Sequence, residues 1–175
     1  IDDRTAERFN PELAGRPDVM AGRSSIRFDP NTRRIPENAA PNTKNRSHAV
    51  TAEVEVPAKG VEGVICAHGG NSGGWTLYTK NGHLKYCYNF IGLERIYVEA
   101  EQPLQPGERQ VRIEFKYDGG GAGKGADLVL FVEGEQVGQG RTERSIPYLI
   151  SLDETLDVGT DAGTPVTDDY PARGN

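Results

Sequence analysis

Six carboxylates crowd the stretch from Asp153 to Asp169: Asp153, Glu154, Asp157, Asp161, Asp168 and Asp169, set among glycines and threonines. Calcium takes roughly six to eight oxygen ligands, and loop carboxylates with backbone carbonyls supply them. Asp157, Asp161, Asp168 and Asp169 are therefore the candidate metal ligands, with calcium as the candidate ion. The spacing matches no EF-hand loop, so a solvated acidic loop competes with a metal site. A second chemistry lies in the aromatic residues. Trp75, Tyr78, Tyr88 and Tyr97, with Asn89 beside them, are the candidate ligand-binding residues, because an aromatic ring next to polar loops can stack on a pyranose. Against that, a tryptophan in an apolar strand is more often core than platform.

Other motifs fall short of catalysis. Asp118-Gly119-Gly120-Gly121-Ala122-Gly123-Lys124-Gly125 is glycine-rich, but a phosphate loop needs Lys-Ser/Thr opening a helix. Here Gly125 and Ala126 follow Lys124 and lead into a strand, so the segment reads as a hairpin connection. Glu53/Glu55, and Glu133/Glu135 if no turn intervened, have alternate-residue spacing that places two carboxylates on one strand face, as glycoside hydrolysis requires. They lack the central Asp of a Glu-x-Asp-x-x-Glu pattern and read as solvent-face glutamates. His48, His68 and His83 lie far apart and show no pairing of base with nucleophile. Cys66 and Cys87 sit inside candidate strands in no metal-type spacing; buried thiols and a disulfide both remain open. The expected catalytic set is empty, and the chain itself is expected not to be an enzyme.

The elements that position these residues are strands. From Ser47 onward the period is two: Val50, Ala52, Val54 and Val56 alternate with Thr51, Glu53 and Glu55. A short apolar run follows at Gly63 to Ala67. Trp75 to Thr79 and Leu84 to Tyr88 flank Lys80-Asn81-Gly82-His83, and Asn-Gly suits the positive φ angles of a type I′ hairpin turn. Further strands are predicted at Glu94 to Glu99, Gln110 to Tyr117, Asp127 to Val132, Glu135 to Gly140, Ile146 to Ile150 and Leu156 to Gly159. Eight or more short strands without a helix between them predict an all-β, two-layer antiparallel jelly-roll-like sandwich. Val54, Val56, Ile65, Trp75, Leu77, Tyr86, Ile113, Phe115, Leu130, Val132 and Val137 are the predicted core. Residues 1–46, punctuated by Pro11, Pro17, Pro30, Pro36 and Pro41, read as an extended arm with one short strand at Ser24 to Phe28. The sandwich is expected over 47–170 and a tail over 171–175.

Much of the chain resembles the part that follows the catalytic domain in bacterial arylsulfatases of the sulfatase family. The resemblance runs in order through Arg8-Phe9-Asn10-Pro11-Glu12-Leu13-Ala14-Gly15-Arg16-Pro17-Asp18, Ile35-Pro36-Glu37-Asn38, Lys44-Asn45-Arg46-Ser47, Gly74-Trp75-Thr76-Leu77-Tyr78, Tyr88-Asn89-Phe90, Tyr117-Asp118-Gly119-Gly120-Gly121, Asp157-Val158-Gly159 and Gly163-Thr164-Pro165-Val166. It implies a concanavalin-like, lectin-type sandwich acting as a non-catalytic accessory domain, with a sulfatase catalytic domain as partner. It carries over no catalytic residue. Full members make formylglycine in a Cys/Ser-x-Pro-x-Arg motif, whereas Cys66 precedes Ala67-His68-Gly69 and Cys87 precedes Tyr88-Asn89-Phe90. Relatives of this kind run on past the Asp-Tyr region with a further strand, so the sandwich is expected to lack an edge strand or to receive one. A carbohydrate-binding module using an aromatic face is the alternative.

Composition narrows the partners. The net charge of −6 carries no long block of one sign, which argues against nucleic acid and anionic membrane. The longest apolar run, Leu128 to Val132, is far below the roughly 20 residues of a membrane span. The start at Ile1, with no basic-then-apolar leader, reads as a piece of a longer protein.

Overall fold

A computed structural model describes residues 19–175. The arm segment Arg8 to Pro17 and its neighbours lie outside the described residues. Among the described residues ten strands form two antiparallel sheets. They are β1 (Ile35–Pro36), β2 (His48–Val56), β3 (Gly63–Gly70), β4 (Gly73–Lys80), β5 (His83–Phe90), β6 (Glu94–Pro103), β7 (Gly107–Tyr117), β8 (Ala126–Val132), β9 (Glu135–Thr142) and β10 (Thr155–Val158). The larger sheet runs β1-β10-β3-β4-β5-β6 and the smaller β2-β7-β8-β9. One 3-10 turn, Glu37–Ala39, is the only helical element among the described residues. The predicted all-β sandwich is what the chain forms.

Alternation explains the layers. In β7, Val111, Ile113 and Phe115 are buried while Glu108, Gln110 and Lys116 are exposed, as one dry and one wet face require. Facing them from the larger sheet are Trp75, Leu77, Leu84, Tyr86, Tyr88 and Val98. Burying large apolar side chains contributes about 1.5–3 kcal/mol each, and this inter-sheet layer is the main core. The Asn81-Gly82 turn has φ of +53° and +80°, and Lys80 pairs with His83, as a type I′ hairpin demands. Between β3 and β4, Gly69 and Gly74 face each other so closely that a Cβ on either would lie about 2 Å from a backbone oxygen (2.2 Å from Gly73 O and 2.1 Å from His68 O).

Three expectations change. Ser24 to Phe28 forms no strand; a turn at Asp29 to Thr32 breaks the run, and Ile35–Pro36 takes the sheet edge against β10 instead. Ile146 to Ile150 is no strand either. Pro147 has no N–H to give a ladder, the Ile146 N–H donates to the Tyr88 hydroxyl, and the Ile150 N–H donates to Glu37 Oε2. Both isoleucines are nevertheless buried, so the apolar pattern marked burial rather than pairing. Ile65 is only partly buried, because the register slips between Val64 and Cys66 and turns its side chain out of phase. Val54, Val132 and Val137 likewise pack at the margin of the core, not within it.

Candidate functional site

Tyr78, Asn89 and Tyr97 lie on the outer face of the larger sheet, beneath the segment that follows β10 and carries Asp161, Asp168 and Asp169. Alternation in β4 and β5 decides who lies there. Trp75 and Tyr88 point inward with Leu77 and Tyr86, whereas Tyr78, Cys87 and Asn89 point outward. Residues 159–175 cross that outer face as a strap. Val166 and Tyr170 from the strap bury against Val64, Ala67, Tyr78 and Cys87, forming a second, smaller apolar layer. The Tyr78 and Tyr170 rings meet edge to face, 5.3 Å between centroids.

Asn89 is fully buried and ties three elements together. Its Nδ2 donates to the carbonyls of Gly70, Asn71 and Val166, and its Oδ1 accepts from Gly92 N–H at 2.9 Å. Arg95 adds a bond from Nε to the Val166 carbonyl and another to Asn71 Oδ1. The Tyr97 hydroxyl pairs with Thr167 Oγ1 at 2.9 Å. Lys85 Nζ reaches Asp169 at 2.8 Å and Glu99 at 3.4 Å, and Tyr78 donates its hydroxyl to the same Asp169 oxygen. Partial burial alone would raise the Asp169 carboxyl, but the Lys85 ammonium and the Tyr78 hydroxyl hold it below the ordinary value.

Asp161 is the strap's buried carboxylate. Its Oδ2 accepts from the Val166 N–H at 2.9 Å and the Tyr170 hydroxyl at 2.7 Å, while its Oδ1 is buried without a partner. Burial raises its pKa, against those two donors, with Asp157 and Glu154 adding to the rise. Asp157 is equally buried, and its two oxygens accept from the Arg34 N–H and the Thr155 hydroxyl. Asp168 is exposed and faces Arg95 at 3.8 Å. The four aspartates proposed as metal ligands therefore do not form one ligand sphere. Each is directed to its own donors, and no group of three or more His, Cys, Asp or Glu among the described residues converges as a metal cage would.

Of the five candidate ligand-binding residues, Trp75, Tyr78, Tyr88 and Asn89 are buried; Tyr97 alone has an exposed ring, at 42%. Trp75 and Tyr88 belong to the inter-sheet core, Tyr78 and Asn89 to the layer under the strap. Lys85 Nζ lies 5.7 Å from the Tyr97 ring centroid.

The remaining reactive groups are spent on structure. Cys66 and Cys87 are free and buried on opposite faces of the sheet, Cys66 in the main core and Cys87 under the strap. Burial pushes each thiol up to about 12, with Asp157 adding to the rise at Cys66, which leaves them inert as nucleophiles near neutral pH. His68 lies on the inner face, edge-on to Trp75, with neither ring nitrogen hydrogen-bonded. Burial lowers its pKa to about 3, aided by the Lys44 and His48 charges. Glu53 and Glu55 are exposed on β2, and Glu133 sits in the β8–β9 turn, where Oε1 accepts from the Gln110 N–H. What the sequence reading missed is the strap itself. Its signals were Val166 and Tyr170, two apolar residues that alternation cannot place because their partners lie across a loop.

No family model matches the chain, and no curated protein matches it. Among solved structures it is similar to domains LG4-5 of the mouse laminin alpha1 chain, with a TM-score of 0.52 and 18% identity over 83% of this chain and 34% of that one. It is also similar to a heptameric SAP-like pentraxin from Limulus polyphemus, with a TM-score of 0.46 and 13% identity over 79% of this chain and 59% of that one. The chain has the concanavalin-like lectin fold. It spans about a third of the laminin chain it matches, and identity this low carries the fold alone.

Proposed function

We propose that this chain is a non-catalytic accessory sandwich that packs against a sulfatase catalytic domain. The observation that carries the docking role is the apolar surface at the loop end of the molecule. Ile91 and Leu93 in the β5–β6 turn, and Tyr148 and Leu152 in the β9–β10 loop, are 45%, 75%, 60% and 78% exposed. The two loops adjoin: a Cβ on Gly73 would lie 3.3 Å from both Ile91 Cα and an Ile146 methyl. Ile91 also holds φ at +45°, a strained conformation for a β-branched residue at the tip of a turn. Grouped exposed aliphatics on a strained turn fit a contact surface better than a solvated one. The link to a sulfatase rests on the motif resemblance from Arg8 to Val166, and the domain limits of 47–170 belong to the same reading.

Two measurements test it. The isolated chain should give no turnover on an aryl sulfate, and hydrolysis above buffer rate would overturn the reading. In the full-length parent, Ile91→Asp with Leu93→Asp should lower the melting temperature of the catalytic domain; an unchanged transition removes the docking surface.

The second reading is glycan binding, favoured by the exposed Tyr97 ring with Lys85 beside it. Affinity electrophoresis on sulfated polysaccharides should then show retardation that Tyr97→Ala abolishes.

A further inference from the structure

The sandwich has two flanks, and they end differently. On one, the edges of both sheets meet. A Cβ on Gly138 of β9 would lie 2.7 Å from the Glu99 carbonyl oxygen, and one on Gly140 would lie 2.7 Å from a Val98 methyl. Glycine lets β9 touch β6 there and closes the core. On the other flank β2 ends its sheet, paired along all nine residues with β7 and with no other strand among the described residues.

That flank is incompletely covered. Of the inward residues of β2, Val56 is buried, but His48, Val50, Ala52 and Val54 remain only partly buried, whereas Val111, Ile113 and Phe115, the register neighbours of Ala52, Val50 and His48 on β7, are buried. A nine-residue edge of this kind presents backbone donors and acceptors to any extended chain. Its outward face carries a charge pattern as well. Thr51, Glu53 and Glu55 are exposed, and the register sets Glu55 directly opposite Glu108. No cation pairs with Glu53, Glu55 or Glu108 among the described residues; Glu53 accepts only from the Gln110 side chain. Like charges directly opposite destabilise a sheet. A second copy of β2 paired antiparallel along its full length would set Glu53 against Thr51 and Glu55 against Ala49, bringing no cation to either glutamate, so self-association leaves their charge uncompensated.

We propose that the outer edge of β2 is a strand-docking surface for an extended segment of a partner polypeptide, apolar at inward positions and basic at outward ones. Its backbone extends the four-stranded sheet. Its apolar side chains cover Val50, Ala52 and Val54, and its Lys or Arg side chains neutralise Glu53, Glu55 and Glu108. This surface goes beyond the accessory-domain reading and does not depend on it.

The test uses the whole chain with two nine-residue peptides, one alternating valine and lysine and one alternating valine and glutamate. The lysine peptide should bind at least about tenfold more tightly, weaken as salt screens the pairing, and slow amide exchange along β2. The charge reversal Glu53→Lys with Glu55→Lys leaves the inward face untouched and should exchange the preference to the glutamate peptide. The proposal is overturned if the two peptides bind alike or not at all at millimolar concentration. It is equally overturned if protection appears away from β2, or if the outward β2 amides are already protected in the free chain.

Discussion

The two faces of the six-stranded sheet are both buried, yet they are buried in different ways. The inner face presents Trp75, Leu77, Leu84, Tyr86 and Tyr88 to a second sheet, and a broad apolar layer results. The outer face offers only Val64, Ala67, Tyr78 and Cys87 to a strap that brings Val166 and Tyr170. The rest of its contact is polar and specific, through Asn89, Arg95, Lys85, Asp161 and Asp169. Apolar contact is non-directional and scales with area, whereas each buried polar atom needs a particular partner. The inner face therefore sets global stability, and the outer face sets whether the strap stays down.

The largest expected effect is on the inner side. Leu77→Ala empties a fully buried site and should cost about 3 kcal/mol in urea unfolding. A cost as small as that of a strap variant would erase the distinction. Next comes acid. Burial holds the His68 pKa at about 3, below its ordinary 6.5, so the unfolded chain takes up a proton that the folded chain refuses. The associated stability is intact above pH 6.5 and drains away as pH falls toward 3, at up to about 1.4 kcal/mol per pH unit. His68→Leu should flatten the slope of stability between pH 6 and 4.5 by that amount. It should cost little at pH 7, because the ring's nitrogens have no bonds to lose. An unchanged slope would mean that the histidine charges without penalty.

Smaller effects probe the strap. Tyr170→Phe removes a hydroxyl from the buried Asp161 carboxylate and should cost about 1.5 kcal/mol. Limited proteolysis should then cut within 159–175 before the sandwich unfolds; simultaneous loss of both would show strap and sandwich to be one cooperative unit. Smallest is Lys85→Met, which breaks the part-exposed pairs with Asp169 and Glu99 and should cost under about 1 kcal/mol, less still in high salt.

Strand alternation and the Asn81-Gly82 turn made most of the fold legible in the sequence. Both are local properties: period two decides which face is dry, and a positive-φ pair decides where the chain reverses. The same locality misread Ile146 to Ile150, where burial and strand pairing part company because Pro147 cannot donate and the flanking N–H groups find side chains. It also could not separate Trp75 from Tyr78 as binding residues, since strand phase puts one in each buried layer.

Residue types and spacing by themselves determined a β-sandwich whose two cysteines and three histidines form no recognisable reactive motif. Only the tertiary structure decided that the acidic stretch after β10 becomes a strap whose carboxylates serve separate local donors, and that the apolar loops gather at one end. The reason is physical. Alternation is written in neighbours along the chain, but the partners of Asp157, Asp169 and Asn89 include groups that folding brings from distant loops and strands, and no spacing in the sequence encodes which will arrive.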